Sequence, residues 1–298
     1  MERLSPPVEN RFVMELLTLL RKDRFSAMAW WEFLKCSWQM SSQTARENPS
    51  LLRSWQRMTS AISLLSLAIL LLTLTLEGST AALRLFSGLV FFIVWQQSDL
   101  FWHLGLNRRE LESPLYPRLG IAIYLTWFRA LAASFLLARL IGGLPTSSTL
   151  ALLVFLIGVA TDILDGQLAR RTHTTSRLGQ IGDGETDFSL YLALTLILIQ
   201  NGVLPIWLGL LMLARFILPL IAALASYFLL TRAIRFGSTI PGKLAGLFQT
   251  LYFLLILAPM QFAPLLRPLQ LPLLILTVLC LLLAPLAQLI ANLRPTRA

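Results

Sequence analysis

The sequence predicts an all-α polytopic membrane protein, and three observations support this class. Its 298 residues are 56% hydrophobic and 13% charged, whereas soluble domains carry about 25% charged residues. The mean hydropathy is +0.70, and the apolar residues fall in runs long enough to cross a bilayer as helices. Basic residues flank these runs and do not form a stripe with interleaved aromatic side chains. We therefore expect no nucleic-acid partner, despite a net charge of +10.

The first 56 residues are polar and basic but contain apolar positions at helical spacing. One group of these positions lies in residues 12–20, and a second group, rich in tryptophan, lies in residues 30–38. Tryptophan beside Lys and Arg favours the headgroup region of a bilayer. Residues 1–56 are therefore predicted to form a cytoplasmic or interfacial amphipathic arm, in preference to a soluble helix that binds a partner.

Eight apolar segments follow this arm, and each is long enough to cross the hydrocarbon core of a bilayer as a helix. Breaks that contain Gly, Pro, Ser or basic residues separate them. The predicted transmembrane helices cover residues 58–76, 82–104, 121–140, 148–165, 183–200, 205–229, 242–262 and 271–291. The first two, within residues 57–104, precede a body of six helices over residues 115–293.

The basic residues also predict the orientation of the helices. With the N-terminus inside, twenty of the 25 Lys and Arg residues lie on the inner side, three lie on the outer side and two lie within spans. Cytoplasmic loops are enriched in Lys and Arg. We therefore expect a multi-pass protein of the bacterial plasma (inner) membrane, with both termini at the cytoplasmic face.

The segment from Asp162 to Asp187 concentrates five of the fifteen acidic residues between two apolar runs. Asp162 and Asp165 are three residues apart, and Asp183 and Asp187 are four apart, so each pair shares one face of a helix. Four carboxylates without matching lysines repel one another at a membrane boundary unless cations bind. Oxygen ligands suit hard cations, so we expect two Mg²⁺ or Mn²⁺ ions, which commonly bind phosphates.

The spacing Asp-x2-Asp-Gly-x2-Ala-Arg-x8-Gly-x3-Asp-x3-Asp in this segment resembles the signature of the CDP-alcohol phosphatidyltransferase family, and every position matches. The resemblance implies a six-helix transmembrane body over residues 115–293. It also implies an enzyme of phospholipid biosynthesis that transfers a phosphatidyl group from CDP-diacylglycerol, or a related CDP-alcohol, to a hydroxyl group of a small alcohol, either phosphorylated or not. CMP would be released at the cytoplasmic surface of the lipid bilayer. Members of this family are often dimers, so a homodimer is a further expectation.

The resemblance assigns roles to the signature residues, position by position. The metal ligands would be Asp162, Asp165, Asp183 and Asp187. Asp187 would also be the catalytic general base that takes the proton of the acceptor hydroxyl. The CDP site would consist of Asp162, Gly166, Ala169, Arg170 and Gly179.

Three basic residues are candidates for acceptor binding. Arg129 ends a Leu-Thr-x-x-Arg pattern that resembles the first body helix of the family. Arg215 and Lys243 resemble positions in the fourth and fifth body helices that hold the phosphate of phosphorylated acceptors. Because charges within spans are costly, Arg129 and Arg215 are expected to face a polar cavity. The alternative for each is a structural pair with the aspartates or with a backbone carbonyl.

Two positions leave the acceptor alcohol open. Phosphatidylglycerophosphate synthases usually have proline after the third aspartate and lysine after the fourth, whereas this chain has Gly184 and Phe188. Glu185 adds a carboxylate between the last two aspartates. On a helix it points about 200° away from Asp183, so we expect it to face solvent or to cap the helix.

Three more polar residues are expected to have no part in the chemistry. Asp99 lies near the inner end of its predicted helix, where interfacial packing is favoured over an ion or proton role. His103 lies at a helix end and His173 lies in a loop, and neither has metal-ligand spacing to another histidine. Both histidines are therefore expected to be bystanders.

Two functions outside transferase chemistry remain open from the sequence. Intramembrane carboxylates also occur in cation transporters and channels, although the aspartates of this chain lie at the ends of spans. A scaffold that keeps the fold without turnover is the other alternative.

Overall fold

The computed structural model describes residues 20–110, 112–225 and 240–293. These residues are mostly helical, and no strand occurs among them. The helices are α1 (Ala27–Glu47), α2 (Pro49–Glu77), α3 (Ser79–Trp102), α4 (Ile121–Ile141), α5 (Ser148–Arg171), α6 (Arg177–Gln200), α7 (Ile206–Ala225), α8 (Ile240–Leu257) and α9 (Ala263–Leu293). Short 3-10 helices cover Leu104–Leu106 and Met260–Phe262. The predicted all-α class is confirmed.

Six helical segments in the described part of the chain are long and apolar enough to cross a membrane, as the prediction of a polytopic membrane protein requires. They are α2, α3, α4, α5, α8 and the segment Met260–Ala287, which contains most of α9. The other two predicted spans coincide with α6 and α7, and the apolar part of α7 is the shorter stretch Ile206–Ala222. Residues 226–229 of the predicted span 205–229 lie outside the described residues.

Several helix ends extend beyond the predicted spans, most clearly the starts of α2, α6 and α9 and the end of α5, because the spans were delimited by apolar residues and the helices continue past them. Helix α8 instead ends at Leu257, before the predicted end of its span at residue 262. α2 begins at Pro49, and proline suits the first position of a helix because no hydrogen bond from its backbone nitrogen is needed there. α5 continues to Arg171. α6 begins at Arg177 after Ser176, whose Oγ accepts a hydrogen bond from the backbone N–H of Gly179 at 3.0 Å.

The described residues divide into two compact units, and the first comprises residues 20–110, 112–144 and 157–190. In this unit α3 packs against both α2 and α4. Buried leucines on these three helices, including Leu51, Leu89 and Leu131, form its core. A Cβ atom on Gly88 would lie 3.0 Å from the Ala138 Cα, so glycine allows the backbones of α3 and α4 to approach closely.

An ion pair between a buried arginine and a partly exposed glutamate joins the ends of α2 and α4 within this unit. Arg139 Nη1 lies 2.6 Å from Glu77 Oε1, and Arg139 Nη2 lies 3.1 Å from Glu77 Oε2. The side chain of Arg139 is 3% exposed, and that of Glu77 is 33% exposed. Such a bidentate pair fixes the relative position of two helices more strictly than a single contact does.

Helix α1 is attached to the end of α3. Trp102 Nε1 donates a hydrogen bond to Ser37 Oγ at 2.7 Å, and Trp38 packs against Phe101 with ring centroids 5.1 Å apart. Trp31 on α1 is exposed, as an interfacial helix requires. The interfacial position of the arm stays a prediction, and residues 1–19 of the arm lie outside the described residues.

The second compact unit comprises residues 145–156, 191–225 and 240–293. Among its described residues, α9 packs against α8 and α7. The rings of Phe155, Tyr191 and Phe253 form an aromatic cluster with centroid distances of 5.7 and 5.8 Å. The hydroxyl groups of Tyr191 and Thr250 are hydrogen-bonded, which satisfies the polar end of the tyrosine.

Candidate active site

Arg129 of α4 is fully buried and contacts all four aspartates of the signature segment. Its Nη2 atom lies 3.3 Å from Asp165 Oδ2 and 3.3 Å from Asp183 Oδ1. Its Nε atom lies 3.3 Å from Asp187 Oδ1, and its Nη1 atom pairs with Asp162 Oδ1. The structure therefore brings the four predicted metal ligands together around one guanidinium group. This is the structural pairing named above as the alternative for Arg129, whose role toward the acceptor stays a prediction.

Close packing of α5 against α6 places the two pairs of aspartates side by side. A Cβ atom on Gly158 would lie 2.3 Å from Leu190 Cδ2, so only glycine fits there without a shift of its neighbour. Asp162 and Asp165 follow Gly158 by one and two turns of α5. Asp183 and Asp187 lie in the first turns of α6.

Thr126 is a residue of the site whose role was not predicted. Its Oγ1 lies 3.2 Å from Asp165 Oδ2 and 3.0 Å from Asp183 Oδ1, and its side chain is buried. The hydroxyl has one proton and can donate to one acceptor at a time, either one of these carboxylates or the Ala122 backbone oxygen at 3.1 Å. The sequence signal was the Leu-Thr-x-x-Arg pattern, which places Thr126 one helical turn before Arg129.

A cavity of about 210 Å³ lies beside the carboxylates. Four residues that the resemblance assigned to CDP line it, namely Gly166, Ala169, Arg170 and Gly179. Asp165, Asp183 and Thr126 form the wall shared with the aspartate cluster. Asp162, the fifth residue assigned to CDP, contacts Arg129 and is not among the residues that line the cavity.

Arg170 lies close above the glycine that follows the second aspartate. A Cβ atom on Gly166 would lie 3.3 Å from Arg170 Nη1. The missing side chain thus leaves space for a guanidinium group at the cavity wall, where it can donate hydrogen bonds to a phosphate.

The loop between α5 and α6 forms the opposite side of the cavity through Thr174, Thr175 and Ser176. Tyr116 Oη donates a hydrogen bond to the backbone oxygen of Thr175 at 3.4 Å, and the backbone N–H of Arg177 donates to the Arg108 oxygen at 2.9 Å. These bonds tie the loop to the segment between α3 and α4. Neither this polar wall nor its partners could be recognised from sequence spacing.

The donor chemistry of the aspartate cluster fits hard divalent cations. Four carboxylates surround a single guanidinium group, so negative charge is in excess when they are ionised. The side chains of Asp162, Asp183 and Asp187 are 49%, 43% and 34% exposed, so ions from solution can reach them. Mg²⁺ and Mn²⁺ favour such oxygen ligands.

The other two candidate acceptor residues lie in the second unit. Arg215 Nη1 donates to Gln249 Oε1 at 3.0 Å, and its guanidinium carbon lies 4.6 Å from the ring centroid of Phe216. Lys243 is exposed near the start of α8. Their part in acceptor binding stays a prediction.

Asp99, His103 and Glu185 form a second group of polar side chains. Among the described residues, this is the one group of three His, Cys, Asp or Glu residues whose ligand atoms all lie within 4.8 Å of one another. Glu185 is exposed, as expected, but it faces Asp99 and His103 instead of solvent alone. The absence of His103 from the chemistry stays a prediction, although the structure places it beside two carboxylates.

A carboxylate cluster suited to divalent ions, beside a cavity that a guanidinium group borders, suits chemistry at a phosphate group. The sequence profile of the CDP-alcohol phosphatidyltransferase family matches residues 119–284, more than half of the chain. The chain therefore belongs to the CDP-alcohol phosphatidyltransferase family. The predicted family is confirmed, and with it the class of membrane-bound transferases of phospholipid biosynthesis.

The chain is also similar to a cardiolipin synthase (CMP-forming) from Streptomyces coelicolor, with 45% identity over 74 residues. The match covers 24% of this chain and 34% of the relative, so the chain spans about a third of the length of the curated relative that it matches. No solved structure matches the chain.

Proposed function

We propose that this protein transfers a phosphatidyl group from CDP-diacylglycerol to the hydroxyl group of an alcohol and releases CMP. The observation that supports this function best is the joint position of the signature residues. Arg129 contacts the four aspartates, and Asp165 and Asp183 also line the cavity that Gly166 and Arg170 border. A diphosphate in this cavity would lie between carboxylates on one side and a guanidinium group on the other.

Asp187 is proposed as the general base. In the reaction, the acceptor oxygen forms a bond to the phosphorus that carries diacylglycerol, the bond from that phosphorus to the CMP oxygen breaks, and the hydroxyl proton passes to a carboxylate oxygen of Asp187. Arg129 Nε, 3.3 Å from Asp187 Oδ1, holds this side chain in position. Arg170 is proposed to bind a phosphate of the CDP group, and Gly166, Ala169 and Gly179 leave space for the nucleotide.

Divalent cations are proposed as cofactors of this site. The ligands of two Mg²⁺ or Mn²⁺ ions would be Asp162, Asp165, Asp183 and Asp187. Bound there, such ions would supply positive charge to the diphosphate and Lewis-acid polarisation at phosphorus. Thr126, which contacts two of the four carboxylates, is proposed to orient them.

The location of the site in the bilayer is proposed from the charge distribution. The basic residues predict that both termini and the loop between α5 and α6 lie at the cytoplasmic face of a bacterial inner membrane. CDP-diacylglycerol would then enter from the bilayer, and the cytidine group would reach the cavity from the aqueous side. A homodimer is proposed from the family resemblance alone.

Phosphatidylglycerol is proposed as the first acceptor to test. The Streptomyces coelicolor relative is a cardiolipin synthase (CMP-forming), and cardiolipin carries two phosphatidyl groups on one glycerol. Transfer of a phosphatidyl group to phosphatidylglycerol would therefore form that lipid. Gly184 and Phe188, which differ from the usual residues of phosphatidylglycerophosphate synthases, are consistent with an acceptor other than glycerol-3-phosphate.

The test is an acceptor panel with the purified full-length protein. CDP-diacylglycerol and Mg²⁺ or Mn²⁺ are incubated with phosphatidylglycerol, glycerol-3-phosphate, inositol phosphate, inositol, serine or choline, and CMP and the lipid product are quantified. We expect acceptor-dependent CMP release that a chelator abolishes. A double variant, Asp162→Asn with Asp183→Asn, provides the background rate.

Two outcomes would contradict the proposal. CMP release no higher than that of the double variant, with every acceptor, would support the scaffold alternative. Metal-dependent ion flux through liposomes that contain the protein, without CDP-lipid turnover, would support the cation transporter or channel.

A further inference from the structure

Three side chains with metal-ligating atoms meet outside the signature segment of the family. Asp99 lies in the last turn of α3, His103 follows that helix directly, and Glu185 lies in α6 between two signature aspartates. Their ligand atoms lie within 4.8 Å of one another. Two of the three residues precede the matched region 119–284, so the family signature does not account for this group.

The two carboxyl groups of this cluster lie close together. A carboxylate oxygen of Asp99 lies within 4.8 Å of one of Glu185, and two ionised carboxylates repel each other at that separation. A cation bound between them would remove this repulsion. Within residues 20–110, 112–225 and 240–293, neither carboxylate forms an ion pair with Lys or Arg, which distinguishes this group from the four aspartates around Arg129.

The imidazole of His103 is oriented by its own helix. Its Nδ1 atom lies 3.1 Å from the backbone oxygen of Asp99 and 3.3 Å from Asp99 Oδ1. When Nδ1 carries the proton and donates to the backbone oxygen, Nε2 presents a lone pair, which is the tautomer arrangement common among metal-binding histidines.

Helix α1 braces the turn of chain that carries His103. Ser41 Oγ donates to the backbone oxygen of Trp102, and Trp102 Nε1 donates to Ser37 Oγ. The end of α3 is thus fixed before any ion binds. A site on braced helix ends loses less conformational entropy when it binds an ion.

We propose that Asp99, His103 and Glu185 form a binding site for one divalent transition-metal ion. One imidazole with two carboxylates suits Zn²⁺ or Mn²⁺, whereas Mg²⁺ favours an all-oxygen set. The ion would connect the additional helix α3 to α6, the helix that carries Asp183 and Asp187. The ion would therefore link the N-terminal addition to the helix of the proposed active site, through ligands that are not part of the family signature.

Mn²⁺ is the probe of choice, because pulsed electron paramagnetic resonance detects the ¹⁴N nuclei of an imidazole ligand. The four signature aspartates supply only oxygen, so a ¹⁴N coupling reports the proposed site even when Mn²⁺ also binds the aspartates. The experiment uses the full-length protein in detergent, without affinity-tag histidines. Binding is measured directly and does not depend on transferase activity.

We expect a ¹⁴N coupling in the wild-type protein that is lost in His103→Gln. It should persist in His173→Asn, which changes the exposed loop histidine, and in Asp187→Asn, which changes the proposed general base. Glu185→Gln, at an exposed position, should weaken Mn²⁺ binding at this site by about 10-fold or more. One equivalent of Zn²⁺ should displace the ¹⁴N-coupled Mn²⁺.

Absence of a ¹⁴N coupling at saturating Mn²⁺ would overturn the proposal and favour a shared proton between Asp99 and Glu185. A coupling that persists in His103→Gln would overturn it as well. If His103→Gln does not fold, Glu185→Gln provides the test. If the site that shows the ¹⁴N coupling binds Mn²⁺ equally tightly in Glu185→Gln and in the wild type, Glu185 is not a ligand and the proposed site is excluded.

Discussion

Arg129 Nε lies 3.3 Å from Asp187 Oδ1, so a fully buried guanidinium group contacts the proposed general base. The same group contacts the other three signature aspartates. Arg129 thus supplies a fixed positive charge to a cluster whose remaining negative charge the proposed divalent ions would neutralise. The stability of this part of the fold should therefore depend on Arg129 and on divalent ions together.

Replacement of Arg129 by glutamine tests this dependence. We expect Arg129→Gln to lower the free energy of unfolding by about 3 kcal/mol, because removal of one partner leaves buried charge uncompensated. Saturating Mg²⁺ should raise the melting temperature of Arg129→Gln more than that of the wild type. Thermal unfolding in detergent, with chelator or with Mg²⁺, measures both, and Arg109→Gln at an exposed site is the control. An equal effect of Mg²⁺ on both proteins would exclude charge compensation.

Thr126→Val tests the orientation of the carboxylates. The valine side chain has a similar shape but cannot donate to Asp165 or Asp183, so we expect a 10- to 100-fold higher Mg²⁺ concentration at half-maximal activity, about the size of effect seen for groups that orient metal ligands. Thr126→Ser keeps the hydroxyl and should restore most of the affinity. Turnover measured over a Mg²⁺ titration compares the three proteins. Equal titration curves for Val and Thr would show that the hydroxyl has no such role.

Glu77→Gln tests the ion pair at the ends of α2 and α4. The buried Arg139 would lose its ion pair with the Glu77 carboxylate, so the free energy of unfolding should fall by about 1.5–3 kcal/mol. Turnover of the folded fraction should not change, because this pair has no contact with the signature aspartates. Thermal unfolding of Glu77→Gln and of Glu112→Gln, an exposed control, makes the comparison. Equal melting temperatures of Glu77→Gln and Glu112→Gln would show that the ion pair between Glu77 and Arg139 does not stabilise the fold.

Gly158→Ala tests the close packing of α5 against α6. The added methyl group would overlap Leu190 Cδ2, and we expect a loss of about 1–3 kcal/mol in stability. A smaller side chain at the contact, Leu190→Ala, should reduce that loss when the two changes are combined. Gly184→Ala is the matched control, since its Cβ would meet no atom within 4 Å. Additive effects of the changes at Gly158 and Leu190 would contradict the contact.

The helices and the signature could be predicted from sequence because both are local patterns. Runs of apolar residues located the helices, and fixed spacing located Asp162 to Asp187. The ends of α2, α5 and α6 could not be predicted from hydropathy, because a helix continues into the headgroup region wherever its polar residues and caps allow it. The contact of Arg129 with the aspartates was one of the two roles predicted for this residue, because a charge within a span requires a polar neighbour.

Contacts between distant segments account for what sequence spacing did not predict. Glu185 was expected to face solvent because it points away from Asp183 on the same helix. The direction of a side chain on one helix does not show which other helix packs there, and α3 supplies Asp99 and His103 beside Glu185. The cavity wall depends on hydrogen bonds from Tyr116 to the loop before α6, which likewise link segments with no shared motif. Such contacts depend on how the helices pack, and periodicity within one helix does not determine that packing.

The most direct test of the proposed function is acceptor-dependent CMP release by Asp187→Asn. With the acceptor found in the panel and saturating Mg²⁺, we expect turnover to fall by at least about 100-fold, because the hydroxyl loses its proton acceptor. Ser189→Ala on the same helix, whose hydroxyl bonds the Glu185 backbone oxygen, should keep wild-type turnover. Wild-type turnover in Asp187→Asn would contradict the role of Asp187 and the proposed mechanism with it.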